Sequence, residues 1–161
     1  MANKTDMEQQ IKRLQENLHS IRKIAGWTAE VLGNRIGVTK QTISNIENGK
    51  VRLTQTQYIA IRSILDYEVK TNQENTVLPQ VITLLLDSND KEENEDIKKA
   101  VETIAAAAAG GIAGAQLTAV SSALLAPLLG IVGPVGLIGG VVAGATLGWL
   151  SPFIKEKKKK K

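Results

Sequence analysis

The segment RIGVTKQTISNIENGK, residues 35–50, decides how the first half of this chain folds. Thr39 can cap a helix that begins at the next residue, and Asn48-Gly49 can end it. A preceding short helix, capped by Thr28, should end just before Gly37, where a tight turn requires a positive φ angle. Two short helices joined by a turn that contains glycine form a helix-turn-helix.

The residues on either side predict a helical bundle around this motif. Upstream, apolar side chains three and four positions apart form one stripe on a first helix: Met7, Ile11, Leu14, Leu18, Ile21 and Ala25. Downstream, Thr54 and Gln57 form a capping box that starts a fourth helix. An apolar segment at 76–87 predicts an additional helix, which could pack on its own bundle or between two copies.

Residues 18–66 resemble the phage repressor and Cro family of helix-turn-helix domains, also called the XRE-type family, most specifically over residues 35–50. The resemblance implies a bundle of about five helices whose third helix enters the DNA major groove. It also implies an ion pair between Arg22 of the first helix and Glu47 at the end of the third. Gly33 departs from the pattern, because the family usually has alanine there.

The resemblance also implies which residues contact double-stranded DNA. The base-contacting positions fall on Lys40, Gln41, Thr42, Ser44 and Asn45. Gln suits an adenine edge, Lys suits guanine acceptors, and a Thr methyl can contact the thymine methyl. The expected phosphate contacts are Thr28, Thr39, Lys50 and Arg52. The alternative is that these side chains are simply the solvated face of a helix.

The composition argues against catalysis and metal binding. The chain has no cysteine and a single histidine, His19, so it offers neither a disulfide framework nor a thiolate or histidine metal cluster. No phosphate-binding glycine loop is evident either. We therefore expect no enzymatic activity, no cofactor and no metal.

Charge divides the chain into segments of different character. Residues 1–70, the predicted DNA-binding domain, carry 11 Lys and Arg against 7 Asp and Glu. Residues 71–102 carry 3 against 8 and are predicted to be an acidic linker. No charged side chain occurs in 103–154, and a polybasic tail follows at 155–161.

The uncharged segment predicts a two-helix hydrophobic hairpin, because 52 residues are too many for one membrane helix of ~20 residues. Small residues recur at every fourth position, which favours close packing of helices in lipid. The predicted packing residues are Ala106, Gly110, Gly114, Thr118, Ser122, Gly136, Gly140, Gly144 and Gly148. The fold class is thus all-α, a five-helix repressor-like bundle followed by a glycine-zipper-like hairpin.

Basic residues prefer the cytoplasmic side of a membrane, and Trp149 and Phe153 precede the lysines as interface anchors would. These features predict a protein of the cytoplasmic membrane with the N-terminal domain and C-terminal tail in the cytoplasm. The predicted function is a membrane-tethered, sequence-specific transcriptional regulator that acts as a homo-dimer or higher homo-oligomer. The alternative is a self-associating or pore-forming membrane assembly whose head is a docking module, and a hairpin buried in a soluble oligomer also stays open.

Overall fold

The computed structural model describes residues 4–87, 95–129, 147–150 and 153. These residues contain α-helices and one 3-10 turn but no strand, so the all-α class is confirmed for this part of the chain. The helices are α1 (Lys4–Ile24), α2 (Ala29–Ile36), α3 (Lys40–Glu47), α4 (Gln55–Thr71), α5 (Val77–Leu85), α6 (Glu95–Ala109) and α7 (Gly114–Leu129), and the 3-10 turn is Leu147–Leu150.

The first helix is the centre of the molecule. The α1 side chains of Leu14, Leu18 and Ile21 are fully buried, as their spacing along one stripe predicts. Helices α3, α4 and α5 pack on α1, and α6 runs along it as well. The helix-turn-helix and the C-terminal helices therefore share one hydrophobic core.

Helices α2 and α3 cross closely because the turn between them is tight. Gly37 ends α2 with φ 79°, a left-handed conformation that glycine adopts without steric cost. Gly33 faces this turn, and a Cβ atom on it would lie 2.7 Å from the carbonyl oxygen of Val38. Ile43 and Ile46 of α3 are fully buried beneath the crossing.

We expect the substitution Gly33→Val to lower the free energy of unfolding by about 1–3 kcal/mol, because the turn backbone must move away from the added carbons. Denaturant unfolding measures the change. Asn34→Val is the matched control, since Asn34 is exposed on the same helix. Equal losses in the two variants would show that β-branching, and not the contact with the turn, sets the cost.

Helix α5 packs on its own bundle, which is one of the two arrangements that the sequence allows for the additional helix. Its buried side chains Val77, Leu78, Val81 and Ile82 form part of the core with α1. Asn75 joins the two helices, since its Nδ2 donates to the carbonyl of Ile24 (2.8 Å) and its Oδ1 accepts from the amide of Leu78 (3.1 Å).

Much of the predicted acidic linker is helical. Residues 71–102 include all of α5 and the first half of α6, and α6 continues through the boundary placed at 102/103. Val101 and Ile104 of α6 are buried against the core, whereas the acidic side chains of Glu95 and Asp96 are exposed. Helix α6 is therefore amphipathic, with exposed charged side chains and buried apolar ones. The net charge of residues 71–102 does not reveal this arrangement.

The predicted strip of small residues does not follow one helix. Gly110 and Gly111 end α6, with φ 97° at Gly111, and α7 begins at Gly114. Ala106 and Gly110 are exposed, as is Gly114. Two strip residues on α7 are half-buried: Thr118 and Ser122. The strip is broken because consecutive glycines turn the chain between α6 and α7.

The second half of the predicted hairpin is largely outside the described residues. Gly136, Gly140 and Gly144 lie there, whereas Gly148 is in the 3-10 turn. The described residues therefore give the glycine-zipper membrane hairpin no support.

The predicted location in the cytoplasmic membrane, with both ends in the cytoplasm, is contradicted. Among the described helices, none has both the length and the apolar character that a membrane crossing requires. The uncharged stretch is interrupted at Gly110-Gly111, and α7 has 16 residues where a crossing needs ~20. The predicted lipid partner is therefore not supported either, because it rested on the membrane-spanning hairpin.

Trp149 and Phe153, predicted as membrane-interface anchors, pack instead on α4. The Trp149 ring lies edge-on to Tyr58, with centroids 5.9 Å apart, and its Nε1 donates to Asp66 (2.5 Å). It also covers the guanidinium of Arg62 at 5.0 Å. Phe153 stacks on the Tyr58 ring at 5.0 Å. Aromatic burial against the head, not a lipid interface, accounts for these two residues.

Candidate nucleic-acid interface

Helix α3 has one buried face and one face available to a ligand. Thr39 starts the helix, since its Oγ1 accepts a hydrogen bond from the amide of Thr42 (3.0 Å). On the outer side, the predicted base-contacting residues divide into the exposed Lys40 and Gln41 and the half-buried Thr42, Ser44 and Asn45. None of the five is among the buried core side chains of α3, which are Ile43 and Ile46.

Two of the predicted base-contacting side chains bond to each other. Gln41 Nε2 donates to Asn45 Oδ1 at 3.0 Å, one turn along the helix. The bond uses the Gln41 nitrogen and the Asn45 oxygen, so the Gln41 oxygen and the Asn45 nitrogen are not used by it. Amide side chains of this kind are suited to adenine edges. Ser44 lies beside them, 3.5 Å from the Nδ2 of Asn48.

The predicted phosphate contacts occupy two helix starts and one loop. Thr28 and Thr39 are exposed N-caps of α2 and α3, and Thr28 Oγ1 accepts from the amide of Val31 (3.1 Å). The N-terminus of a helix carries partial positive charge that favours an anion. Lys50 and Arg52 are exposed in the loop between α3 and α4.

That loop, residues 48–53, is folded back onto the end of α3. The carbonyl oxygen of Asn45 accepts from the amides of Lys50 (2.9 Å) and Val51 (3.3 Å). Gly49 makes the reversal with φ 75°. The main chain at Lys50 is thereby bonded to the main chain of Asn45, a predicted base-contacting residue of α3.

Arg22 of α1 holds the end of α3 through a buried ion pair. Its Nε and Nη2 donate to the two carboxylate oxygens of Glu47, at 2.6 and 3.1 Å. Its Nη1 donates to the carbonyl of Trp27 at 2.8 Å. The structure thus brings together the two residues that the family resemblance paired. A bidentate geometry of this kind fixes orientation as well as distance.

The pKa of Glu47 reflects this environment. Burial by itself raises the pKa of the carboxyl group, but hydrogen bonds from Arg22 and His19 outweigh it, so the pKa lies below the ordinary value of 4.5. His19 Nδ1 lies 3.1 Å from Glu47 Oε2. The ionised form of Glu47 is therefore the one that stabilises the fold.

We expect part of the stability to disappear in acid because of Glu47. A folded-state pKa below the unfolded one contributes stability that is present above pH 4.5 and is lost as the pH falls through the lowered value. The difference in unfolding free energy between the parent and Glu47→Gln should therefore be largest near neutral pH and shrink below 4.5. Denaturant titrations from pH 7 to pH 3 measure it. A difference that stays constant over this range would contradict the ion pair.

Sequence reasoning missed one residue of this region, Gln15 of α1. Its Nε2 donates to the carbonyls of Ile46 (2.9 Å) and Val51 (2.8 Å), and its Oε1 accepts from the amide of Leu53 (3.0 Å). Gln15 lies beside the apolar stripe of α1 and belongs to no motif, so no local pattern marks it. Its partners are more than 30 positions away along the chain.

The described residues offer no metal site, since no group of three or more His, Asp or Glu side chains is placed to hold an ion there. The candidate site consists instead of amide, hydroxyl and cationic side chains. Such groups suit nucleic-acid edges and phosphates.

Residues 18–70 match the family model described as Helix-turn-helix, which is 53 of the 161 residues. The match begins within α1 and ends in the last turn of α4, so it includes the α2–α3 motif and the loop with Lys50 and Arg52. This similarity suggests a DNA-binding regulator. No curated protein and no solved structure matches the chain.

Proposed function

We propose that this protein is a sequence-specific DNA-binding regulator of transcription in which α3 enters the major groove. The observation that carries the proposal is the outer face of α3, where Gln41 and Asn45 are exposed or half-buried and bonded to each other above a fully buried Ile43. A helix held this firmly can present base-reading groups without ordering them at the moment of binding.

The cationic and hydroxyl groups around α3 supply the second part of the proposal. Thr28 and Thr39 at the helix starts and Lys50 and Arg52 in the loop would contact phosphates on both sides of the groove. These contacts give affinity and orientation, whereas Lys40, Gln41, Thr42, Ser44 and Asn45 give sequence preference. Binding should therefore weaken steeply as salt rises.

A homo-dimer or higher homo-oligomer stays a prediction. In the described residues α5, the helix considered as a dimer contact, is buried against α1 of the same chain. The length of the bound site measures the oligomeric state, because two such domains contact half-sites one helical turn apart. We propose no enzymatic reaction.

Selection of duplexes from a random pool with the full-length protein tests the proposal. We expect a shared sequence of a few base pairs per bound domain to be enriched, and its affinity to exceed that of random duplex by at least ~10³-fold. Recovery of duplexes with no shared sequence, or no recovery at low salt, would overturn the proposal. The full chain is needed because α6 covers α1, which would be exposed in a fragment that ends at residue 70.

A further inference from the structure

We propose that Gln15 is a positioning residue that holds Arg52 for phosphate contact, an inference that rests on the function proposed above. Gln15 precedes the residues that match the helix-turn-helix family, which begin at position 18. It therefore contributes a feature of this chain that the family match does not include.

The geometry places Arg52 between two main-chain groups that Gln15 bonds. The carbonyl of Val51 accepts from Gln15 Nε2 at 2.8 Å, and the amide of Leu53 donates to Gln15 Oε1 at 3.0 Å. One side-chain amide thus binds the residue before Arg52 and the residue after it. Because both neighbours are fixed, the main chain at Arg52 has little freedom to move.

The anchoring of Arg52 differs from that of Lys50. Lys50 has its own main-chain bond to Asn45 of α3, at 2.9 Å. Arg52 is exposed. Its neighbour Val51 has a longer main-chain bond to Asn45 (3.3 Å), and the side chain of Leu53 is buried, but the hydrogen bonds that join both neighbours to α1 come from Gln15. Loss of the Gln15 amide should therefore loosen the main chain at Arg52 more than the main chain at Lys50.

The base-reading face of α3 is held by other contacts. Ile43 and Ile46 are fully buried, and the Arg22–Glu47 pair holds the end of the helix. A second bond from Gln15 Nε2 reaches the carbonyl of Ile46, but that carbonyl also accepts from the amide of Gly49 (3.1 Å). Two side chains of α1 thus position different parts of the interface. Arg22 orients helix α3, and Gln15 orients the loop that contains Arg52.

The expected consequence is a change in salt dependence without a change in sequence preference. Each phosphate contact contributes about 0.9 to the slope of log Kobs against log salt concentration. In the full-length protein, Gln15→Met should lower the magnitude of this slope by about 1 and weaken binding by the same factor on selected and random duplexes. Gln9→Met is the matched control, an exposed glutamine of the same helix, and should leave the slope unchanged.

A double-mutant cycle tests whether Gln15 acts through Arg52. Arg52→Ala should also lower the slope by about 1, and adding Gln15→Met to it should cause no further loss. Amide hydrogen exchange of residues 48–53 in the free protein should be faster in Gln15→Met. If Gln15→Met does not fold, Gln15→Asn replaces it in the cycle, because its shorter amide shifts the three bonds and adds no charge that would change the salt slope by itself.

The outcomes separate this inference from the proposed function. If the parent binds no duplex, the proposed function fails and this inference fails with it. If the parent binds and Gln15→Met keeps the full slope, only the role of Gln15 is overturned. Additive slope losses in the double variant, or a changed ratio of selected to random affinity, would also overturn it.

Discussion

Replacing Arg22 with methionine should lower the free energy of unfolding by about 3–5 kcal/mol, the largest effect on stability that we expect from one substitution. The change leaves the Glu47 carboxylate, whose side chain is 8 % exposed, without its bidentate partner. It also removes the bond from Nη1 to the carbonyl of Trp27. A buried charge that loses its partner costs far more than the pair contributes while intact.

Chemical denaturation of Arg22→Met and of a control measures this effect. The control is Lys12→Met on the same helix, which removes a cation from an exposed pair with Glu16 at 3.7 Å. It should cost less than about 0.5 kcal/mol. The double variant Arg22→Met with Glu47→Leu should recover much of the loss because no charge is then buried. Equal losses for Arg22 and Lys12 would contradict the structural role of the ion pair.

The second large effect concerns sequence preference. Gln41→Ala should weaken binding to a selected duplex by about 1–3 kcal/mol, because one bidentate contact to a base edge is lost. This is roughly a 5- to 150-fold loss. Binding to random duplex should hardly change, since phosphate contacts supply that affinity. The preference at one position of the site should relax.

Competition binding with duplexes that differ at single positions measures this prediction. Gln73→Ala is the control, because Gln73 is exposed in the segment between α4 and α5. It should leave both affinity and preference intact. An equal loss on selected and random duplexes in Gln41→Ala would show that Gln41 supports the protein's general affinity and does not read a base.

The helix-turn-helix could be predicted from the sequence because its signals are local. Thr39 caps α3 through an amide three residues away, and Gly37 adopts its positive φ within the turn itself. The capping box of Thr54 and Gln57 is equally local and is present in the structure. Such features depend on neighbours in the chain and not on the rest of the fold.

Contacts between distant residues were harder to predict. Arg22 and Glu47 are 25 positions apart and were paired by family resemblance alone. Gln15 reaches 38 positions along the chain to Leu53, and Trp149 reaches 83 positions back to Asp66. No spacing rule encodes these partners, because they depend on how α1 packs on α3 and its loop and on how the turn with Trp149 packs on α4.

The membrane prediction failed for a related reason. The absence of charge over residues 103–154 was interpreted as a lipid environment. Whether a helix can span a membrane also depends on where the helix ends, which the absence of charge does not reveal. The Gly110-Gly111 pair ends α6, and Ala100, Val101 and Ile104 before it are buried in the same hydrophobic core as the residues of α1. Alanine and glycine allow close packing in either setting, so their spacing alone does not identify lipid.

Hydrogen exchange of the full-length protein, with and without a bound duplex at low salt, tests most directly whether α3 and its loop form the DNA interface. We predict that protection on binding concentrates in residues 28–31, 39–45 and 48–53. Unchanged exchange in these three segments, with protection confined to α6 and α7, would contradict the proposed interface.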